Sequence, residues 1–241
     1  DRPPAVTISE NPTKAEAEAK LKMVRDALAP FLWAGDDAPI TKTDDGKTTI
    51  MDTSKPAGIN ETAGLCAVLS LIQRTLMDIC PGILITGAPG SGSGAGKGKF
   101  VRVVTMIVTG RPPHVVAHDP DPVEREKRTV TGLLRGGAPN LFDNWNGLMI
   151  DSASLATALT EPGGRIRKLG ASVDYPIPLQ VIFITGNGTR PREDQVTRWI
   201  TGFMDARTAD PEQRDFTGRY AGDPVERIAR QRGGLLEAVL T

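Results

Sequence analysis

Apolar residues recur along this chain in two rhythms. Residues 13–32 read as a helix. Leu21, Val24, Leu28 and Leu32 fall on one side, and Thr13 with Glu16 makes a capping box at its start. A second helix is predicted over 61–79, with Leu65, Leu69, Ile72, Leu76 and Ile79 at helical spacing. It is expected to pack on the domain that follows. From residue 83 onward, short apolar runs of strand length alternate with helical stretches. The run 83–86 precedes a helix over 97–108, which Gly110-Arg111-Pro112-Pro113 stops. A strand over 114–117 precedes a helix over 123–134, opened by Asp121-Pro122 and closed by Gly136-Gly137. Asn140-Leu141-Phe142 leads as a strand into Asp143, and 152–160 is a short helix. Residues 165–178 read as extended, with bends at Gly164 and Gly170. A buried strand over 180–185 ends in Gly186-Asn187-Gly188. A further strand is expected over 201–205, and Asp223-Pro224 opens a last helix to Leu240.

Strands that alternate with helices imply an α/β fold with a parallel sheet flanked by helices. Ligands of such sheets bind at the carboxyl ends of the strands. Three of those ends carry polar signals: the stretch after residue 86, Asp143-Asn144, and Asn187. Upstream, residues 1–12 are Pro-rich and polar. Residues 34–60 lack periodicity, carry turn signals such as Asp44-Asp45-Gly46, and leave 47–51 as one strand of a hairpin. The organisation expected is a small helical and irregular N-terminal region over 1–60, serving as a linker or oligomerisation element, and an α/β domain over 61–241.

The first polar end is the richest. Ile83-Leu84-Ile85-Thr86 is followed by Gly87-Ala88-Pro89-Gly90-Ser91-Gly92-Ser93-Gly94-Ala95-Gly96-Lys97-Gly98-Lys99 and then by Phe100-Val101-Arg102-Val103-Val104. Strand, glycine-rich loop and helix is the order of a nucleotide-binding P-loop, whose backbone N–H groups wrap phosphate oxygens while a lysine meets the terminal phosphates. Glycine permits that close approach and supplies positive φ. Gly90, Gly92, Gly94, Ala95, Gly96, Lys97, Gly98 and Lys99 are the candidate cradle, with Lys97 as the phosphate lysine and Lys99 as its rival. The common pattern places Ser or Thr after the lysine, as a Mg²⁺ ligand. Here that residue is Gly98. A flexible Gly/Ser linker has similar composition, but apolar runs directly before and after the loop argue against one.

Composition adds limits. Lys plus Arg and Asp plus Glu number 29 each, so net charge is zero and any contact with nucleic acid has to come from a local patch. Cys66 and Cys80 have no metal-ligating neighbours in sequence and read as buried thiols. His114 and His118 lack a third ligand. No apolar run reaches transmembrane length, and a cytoplasmic setting is expected. The chain begins at Asp1, as a piece of a larger protein would.

ATP hydrolysis needs a phosphate cradle, a Mg²⁺ holder, a group that positions water and cations that offset transition-state charge. Asp143 is the candidate to hold Mg²⁺ through water. Asn144 follows where an acid usually polarises the attacking water; it orients water but cannot take a proton. Asn187 fits a polar sensor of the γ-phosphate, on a strand next to the loop's strand. Arg190, Arg192 and Arg198 follow it, and one of them is a candidate arginine finger; Arg207 and Arg214 are weaker candidates. Arg165 and Arg167 share one face of an extended segment and, with Lys168, could meet DNA phosphates.

In this order the residues resemble the AAA+ P-loop ATPase, helicase-like domain of phage, plasmid and integrative-element replication proteins, often linked to primase domains. The resemblance rests on Ser93-Gly94-Ala95-Gly96-Lys97-Gly98, Thr109-Gly110-Arg111-Pro112-Pro113, Phe142-Asp143-Asn144 and Thr185-Gly186-Asn187. It closes with Asp205-Ala206-Arg207 and Pro211-Glu212-Gln213-Arg214-Asp215-Phe216, and it covers roughly residues 60–241. It implies that Gly98 and Asn144 are family features, that Arg198 is the finger, and that Arg165, Arg167 and Lys168 occupy a DNA-touching hairpin. It further implies ATP and Mg²⁺ as cofactors and a homo-oligomeric, hexameric ring with sites between subunits. The expected partners are single-stranded or forked DNA and a primase domain or protein, with no membrane. The expected activity is that of an ATP-dependent helicase or translocase. The competing expectation, from Gly98 and Asn144, is a nucleotide-gated assembly protein that hydrolyses little.

Overall fold

A computed structural model describes residues 4–91, 94–168, 170, 172–208, 211, 214 and 216–241. Gly92 and Ser93 of the loop, and Glu212, Gln213 and Asp215 of the last motif, lie outside the described residues.

Helix α1 spans Lys14–Leu28 and begins at the expected capping box, with the Glu16 N–H donating to Thr13 Oγ1 and the Thr13 N–H to the Glu16 carboxylate. It ends four residues short of Leu32. Val24, Leu28 and Leu32 are buried, whereas Leu21 is exposed. Strands β1 (Ile40–Lys42) and β2 (Thr49–Met51) form the expected hairpin. Helix α2 spans Ile59–Gln73 and runs into a 3-10 turn at Arg74–Leu76.

The face of α2 corrects the sequence reading. Its buried side is Ala63, Gly64, Ala67, Val68 and Leu71; of the expected face Leu65 and Ile72 are half-buried against the same core, Leu69 is exposed, and Leu76 and Ile79, beyond the helix, are exposed. The reason is Trp33. Its indole packs against the helix, where a Cβ at Gly64 would come within 2.2 Å of the ring. A helix apolar on nearly every side gives no periodic signal of which side faces in.

The remaining elements are β3 (Gly82–Gly87), α3 (Lys97–Thr109), β4 (His114–Ala117), α4 (Pro122–Arg135), β5 (Asn140–Asp143), β6 (Met149–Ile150) and α5 (Ala153–Thr160). They are followed by β7 (Arg165–Arg167), β8 (Asp174–Pro176), β9 (Ile182–Asn187), β10 (Arg190–Pro191), β11 (Trp199–Met204) and α6 (Pro224–Leu240). Five strands make a parallel sheet in the order β11-β3-β9-β5-β4. Strand β11 starts two residues earlier than expected. β6 and β10, which have no clear sequence signal, pair in parallel over two residues. β7 and β8 turn the extended segment into an antiparallel hairpin.

The sheet is buried on both faces, so β3 reads as an unbroken apolar run. Alternate residues feed different cores. Ile83 and Ile85 face a core with Val24, Phe31, Trp33, Phe100, Val104, Ile228 and Leu235, under α1, α2, α3 and α6. Leu84 faces a second core with Leu133, Phe142, Trp145, Leu155 and Ile166, under α4, α5 and the β7–β8 hairpin.

Residues before position 60 belong to the first of these cores. Phe31 and Trp33 pack edge-on against Phe100 of α3 at 5.5 and 5.1 Å between ring centroids. A buried ion pair, Arg25 Nε to Glu61 Oε1 at 2.6 Å, joins α1 to α2.

Candidate functional site

Parallel strands carry β3, β9 and β5 side by side, so their carboxyl ends open at the same edge of the sheet. Register puts Gly87 opposite Asn187. The three polar ends recognised in the sequence therefore meet. Together with residues from both ends of the chain they enclose a cavity of about 890 Å³.

Residues 94–99 of the loop line it. Gly90, Gly94 and Gly96 have φ of +80°, +88° and +87°, the left-handed region that glycine occupies without strain. The Ala88 N–H donates to the Met204 carbonyl at 3.0 Å, tying the loop's start to the end of β11. Gly96 then begins α3. Asp121, Ser152 and Asp223 cap α4, α5 and α6 with their side chains, and Asp37 receives the first N–H of α2. Among the described residues no side chain caps α3. Its first N–H groups and the positive end of its dipole face the cavity, an arrangement suited to an anion.

Lys97, the first residue of α3, donates from Nζ to Asn187 Oδ1 at 2.7 Å. Burial pushes its pKa below the usual lysine value, and the negative charge of Asp143 opposes that shift. Lys99 lines the same cavity but is exposed. The geometry thus separates the two lysines: Lys97 is bonded to Asn187 and lies within the field of Asp143, whereas Lys99 is exposed.

Asp143 ends β5. Thr185 Oγ1 donates to its Oδ1, and Arg102 Nη2 lies 3.6 Å from its Oδ2. Gly98 faces it directly. A Cβ there would stand 3.1 and 3.3 Å from the two Asp143 carboxylate oxygens and 2.9 Å from Arg102 Nη1. Asn144 is exposed, lines the cavity and adopts φ +65°. Asn146 Oδ1 accepts from the Asn187 N–H at 2.8 Å, and the Gly147 N–H donates to the Asn187 carbonyl at 2.7 Å. The turn after β5 therefore fixes the Asn187 backbone.

Of the opposite wall, only Arg214 and Phe216 are singled out in the sequence. Pro30 and Phe31 come from the segment after α1, and Arg214, Phe216, Tyr220 and Arg227 from the C-terminal region. Arg227 is buried in the first turns of α6. Its Nη1 donates to the Tyr220 carbonyl at 2.9 Å, and its Nη2 has no partner among the described residues. Arg214 donates to the carbonyls of Pro30 (2.9 Å) and Thr49 (3.2 Å) and lies 4.7 Å from the Phe216 ring centre. Burial lowers the pKa of both arginines. Four cations, Lys97, Lys99, Arg214 and Arg227, thus face two carboxylates, Asp143 and Asp223, in a protein whose net charge is zero. The local potential favours a polyanion.

Of the finger candidates only Arg214 lines the cavity; Arg190, Arg192, Arg198 and Arg207 lie elsewhere. Arg198 precedes β11, whose first residue pairs with Gly82. At about 3.3 Å per residue, that is about 17 Å from the strand end that carries the loop. Arg198 therefore cannot serve the site of its own chain. Arg192 is engaged by Asp194 and Asp151, which push its pKa up. Arg207 holds the Trp33 and Gly35 carbonyls. Arg165 and Arg167 are exposed on one face of β7, with Ile166 buried between them, and Lys168 follows. Arg167 pairs with Asp174 at 3.5 Å, and Arg165 donates to the Asp174 carbonyl at 2.5 Å. The hairpin packs on α5, away from the cavity lining.

Compared with protein-family models and with curated proteins, the chain shows no match. Among the described residues no helix is long and apolar enough to cross a membrane, and no three His, Cys, Asp or Glu side chains group as a metal site.

Proposed function

We propose that the cavity binds ATP and that the chain is a P-loop ATPase of AAA+ type, acting as a ring-forming motor on DNA. One observation carries this reading. Lys97, Asn187 and Asp143, from three separate stretches of sequence, gather at the uncapped start of α3 behind a loop with three positive-φ glycines. The strand next to β3 carries Asn187, as the sensor reading requires.

In this reading the N–H groups of the loop and of α3 hold phosphate oxygens, and Lys97 donates to the terminal phosphate. Asn187 aims the Lys97 ammonium and contacts the γ-phosphate. Asn144 orients the water. Pro30, Phe31 and Tyr220 supply an apolar wall for the base, and the buried Arg227 adds positive charge beside the phosphates.

The donor set fits Mg²⁺. Asp143 presents a carboxylate held by Thr185, and Mg²⁺ characteristically takes one or two carboxylates and completes its shell with phosphate and water. When bound, the ion supplies charge neutralisation of the β- and γ-phosphates. The Gly98 position supplies no hydroxyl, so the contact falls to Asp143.

Arg198, remote from its own site, is the residue assigned to a neighbour's γ-phosphate. The cations Arg165, Arg167 and Lys168 are assigned to the DNA backbone.

Binding of a fluorescent ATP analogue to wild type and Lys97→Ala tests the cradle. Saturable binding lost in the variant supports it; equal binding by both overturns it.

A further inference from the structure

Arg102 is absent from the sequence-level constellation and does not line the cavity, yet it is the cation paired with Asp143. It lies one helical turn beyond Gly98 on the same face of α3. Its Nη2 is 3.6 Å from Asp143 Oδ2, and its Nη1 is the atom nearest to where a Gly98 Cβ would stand, at 2.9 Å. The Arg102 guanidinium and the Asp143 carboxylate therefore both stand against Gly98. A hydroxyl-bearing residue at 98, the usual metal ligand, would enter the space this pair uses.

We propose that Arg102 is a built-in counter-ion of Asp143 that competes with the divalent cation, and that Gly98 is glycine to make room for it. The inference rests on the nucleotide reading above. Asp143 has two oxygens: Oδ1 accepts from Thr185 and Oδ2 faces Arg102. Without metal, Arg102 neutralises the carboxylate and keeps it seated beside α3. A hydrated divalent cation held by the Asp143 carboxylate would weaken that contact, because the carboxylate cannot serve both at full strength. The pair thus raises the cation concentration at which metal-nucleotide binds. Its side chains are 34% and 18% exposed, so the competition is modest, and the effect of removing it is about two- to fivefold. Arg102 acts here through Asp143 and is a positioning residue.

The test is a titration of Mg²⁺ at fixed fluorescent ATP analogue, read as bound analogue, with wild type, Arg102→Gln, Asp143→Asn and the double variant. Glutamine keeps the apolar stem of the side chain and removes the charge. The expected result is a Mg²⁺ midpoint about two- to fivefold lower in Arg102→Gln than in wild type. In the Asp143→Asn background the same change should leave the midpoint within twofold, because the competition has gone. A parallel titration with Mn²⁺ alone, read by the paramagnetic resonance of free ion, should show the same order of affinities without nucleotide. An unchanged or raised midpoint in Arg102→Gln overturns the inference, as does an equal shift with and without Asp143. Failure of wild type to bind the analogue at any Mg²⁺ concentration would instead overturn the nucleotide reading, and this inference with it.

Discussion

Lys97 Nζ donates to Asn187 Oδ1 at 2.7 Å across ninety residues of sequence. The bond joins the start of α3 to the end of β9, and both positions follow from β3 and β9 being neighbours in the sheet. It gives the loop lysine a fixed direction before any ligand arrives. Preorganised polar contacts of this kind act on the transition state more than on ground-state binding.

Asn187→Ala is therefore expected to lower kcat by roughly 10²-fold while changing nucleotide affinity by less than about threefold. Steady-state ATPase kinetics and equilibrium binding, measured together, separate the two. Equal losses in both would mean that Asn187 only holds the empty site together.

Burial lowers the Lys97 pKa despite Asp143, so the folded protein bears a desolvation cost for this ammonium. At pH values below the depressed pKa both folded and unfolded chains carry the proton, and the whole cost is present. Between that value and 10.5 the unfolded chain holds more protons, so stability rises with pH. Lys97→Met should then be more stable than wild type at neutral pH, with the advantage shrinking as pH approaches 10.5. Urea unfolding of both proteins at neutral and alkaline pH reads this; an advantage that grows with pH contradicts it.

Restoring the common hydroxyl after the lysine should not help. A Cβ at position 98 would stand 3.1 and 3.3 Å from the two oxygens of Asp143 and press the carboxylate out of place. Gly98→Ser is expected to weaken metal-nucleotide binding by about fivefold, near 1 kcal/mol. Calorimetry with Mg²⁺ and ATP measures it. Tighter binding in the variant would show that the site lacks a ligand that serine can provide.

The small face of α2 gives a stability prediction. Gly64→Ala drives a methyl into the Trp33 ring and should destabilise by about 1–3 kcal/mol. Leu76→Ser, at a side chain 84% exposed, should cost less than about 0.5 kcal/mol. Chemical unfolding of the two variants checks the assignment; the reverse order would restore the face that sequence periodicity selects.

How much was legible depends on where each signal resides. The strand–loop–helix order, Asp143 and Asn187 were readable because local pattern and turn chemistry set them. The alternating strands and helices gave the parallel sheet for the same reason. The buried face of α2 was not readable, since only the position of Trp33 makes small residues the inward ones. Arg227, Tyr220 and Phe31 were missed because nothing local distinguishes them from core residues; the cavity is made when α6 and the segment after α1 fold over the loop. Arg102 had a signal, its one-turn spacing from Gly98, that acquires meaning only once Asp143 is seen beside both.

The central claim is an ATP-driven motor whose loop lysine is Lys97 and whose track is DNA. ATP turnover by wild type and Lys97→Ala, each with and without single-stranded DNA, tests it most directly. The expected result is hydrolysis by wild type that DNA stimulates, and loss of both basal and stimulated turnover in the variant. Equal rates in the two proteins, or nucleotide bound by wild type without turnover in either condition, would contradict it.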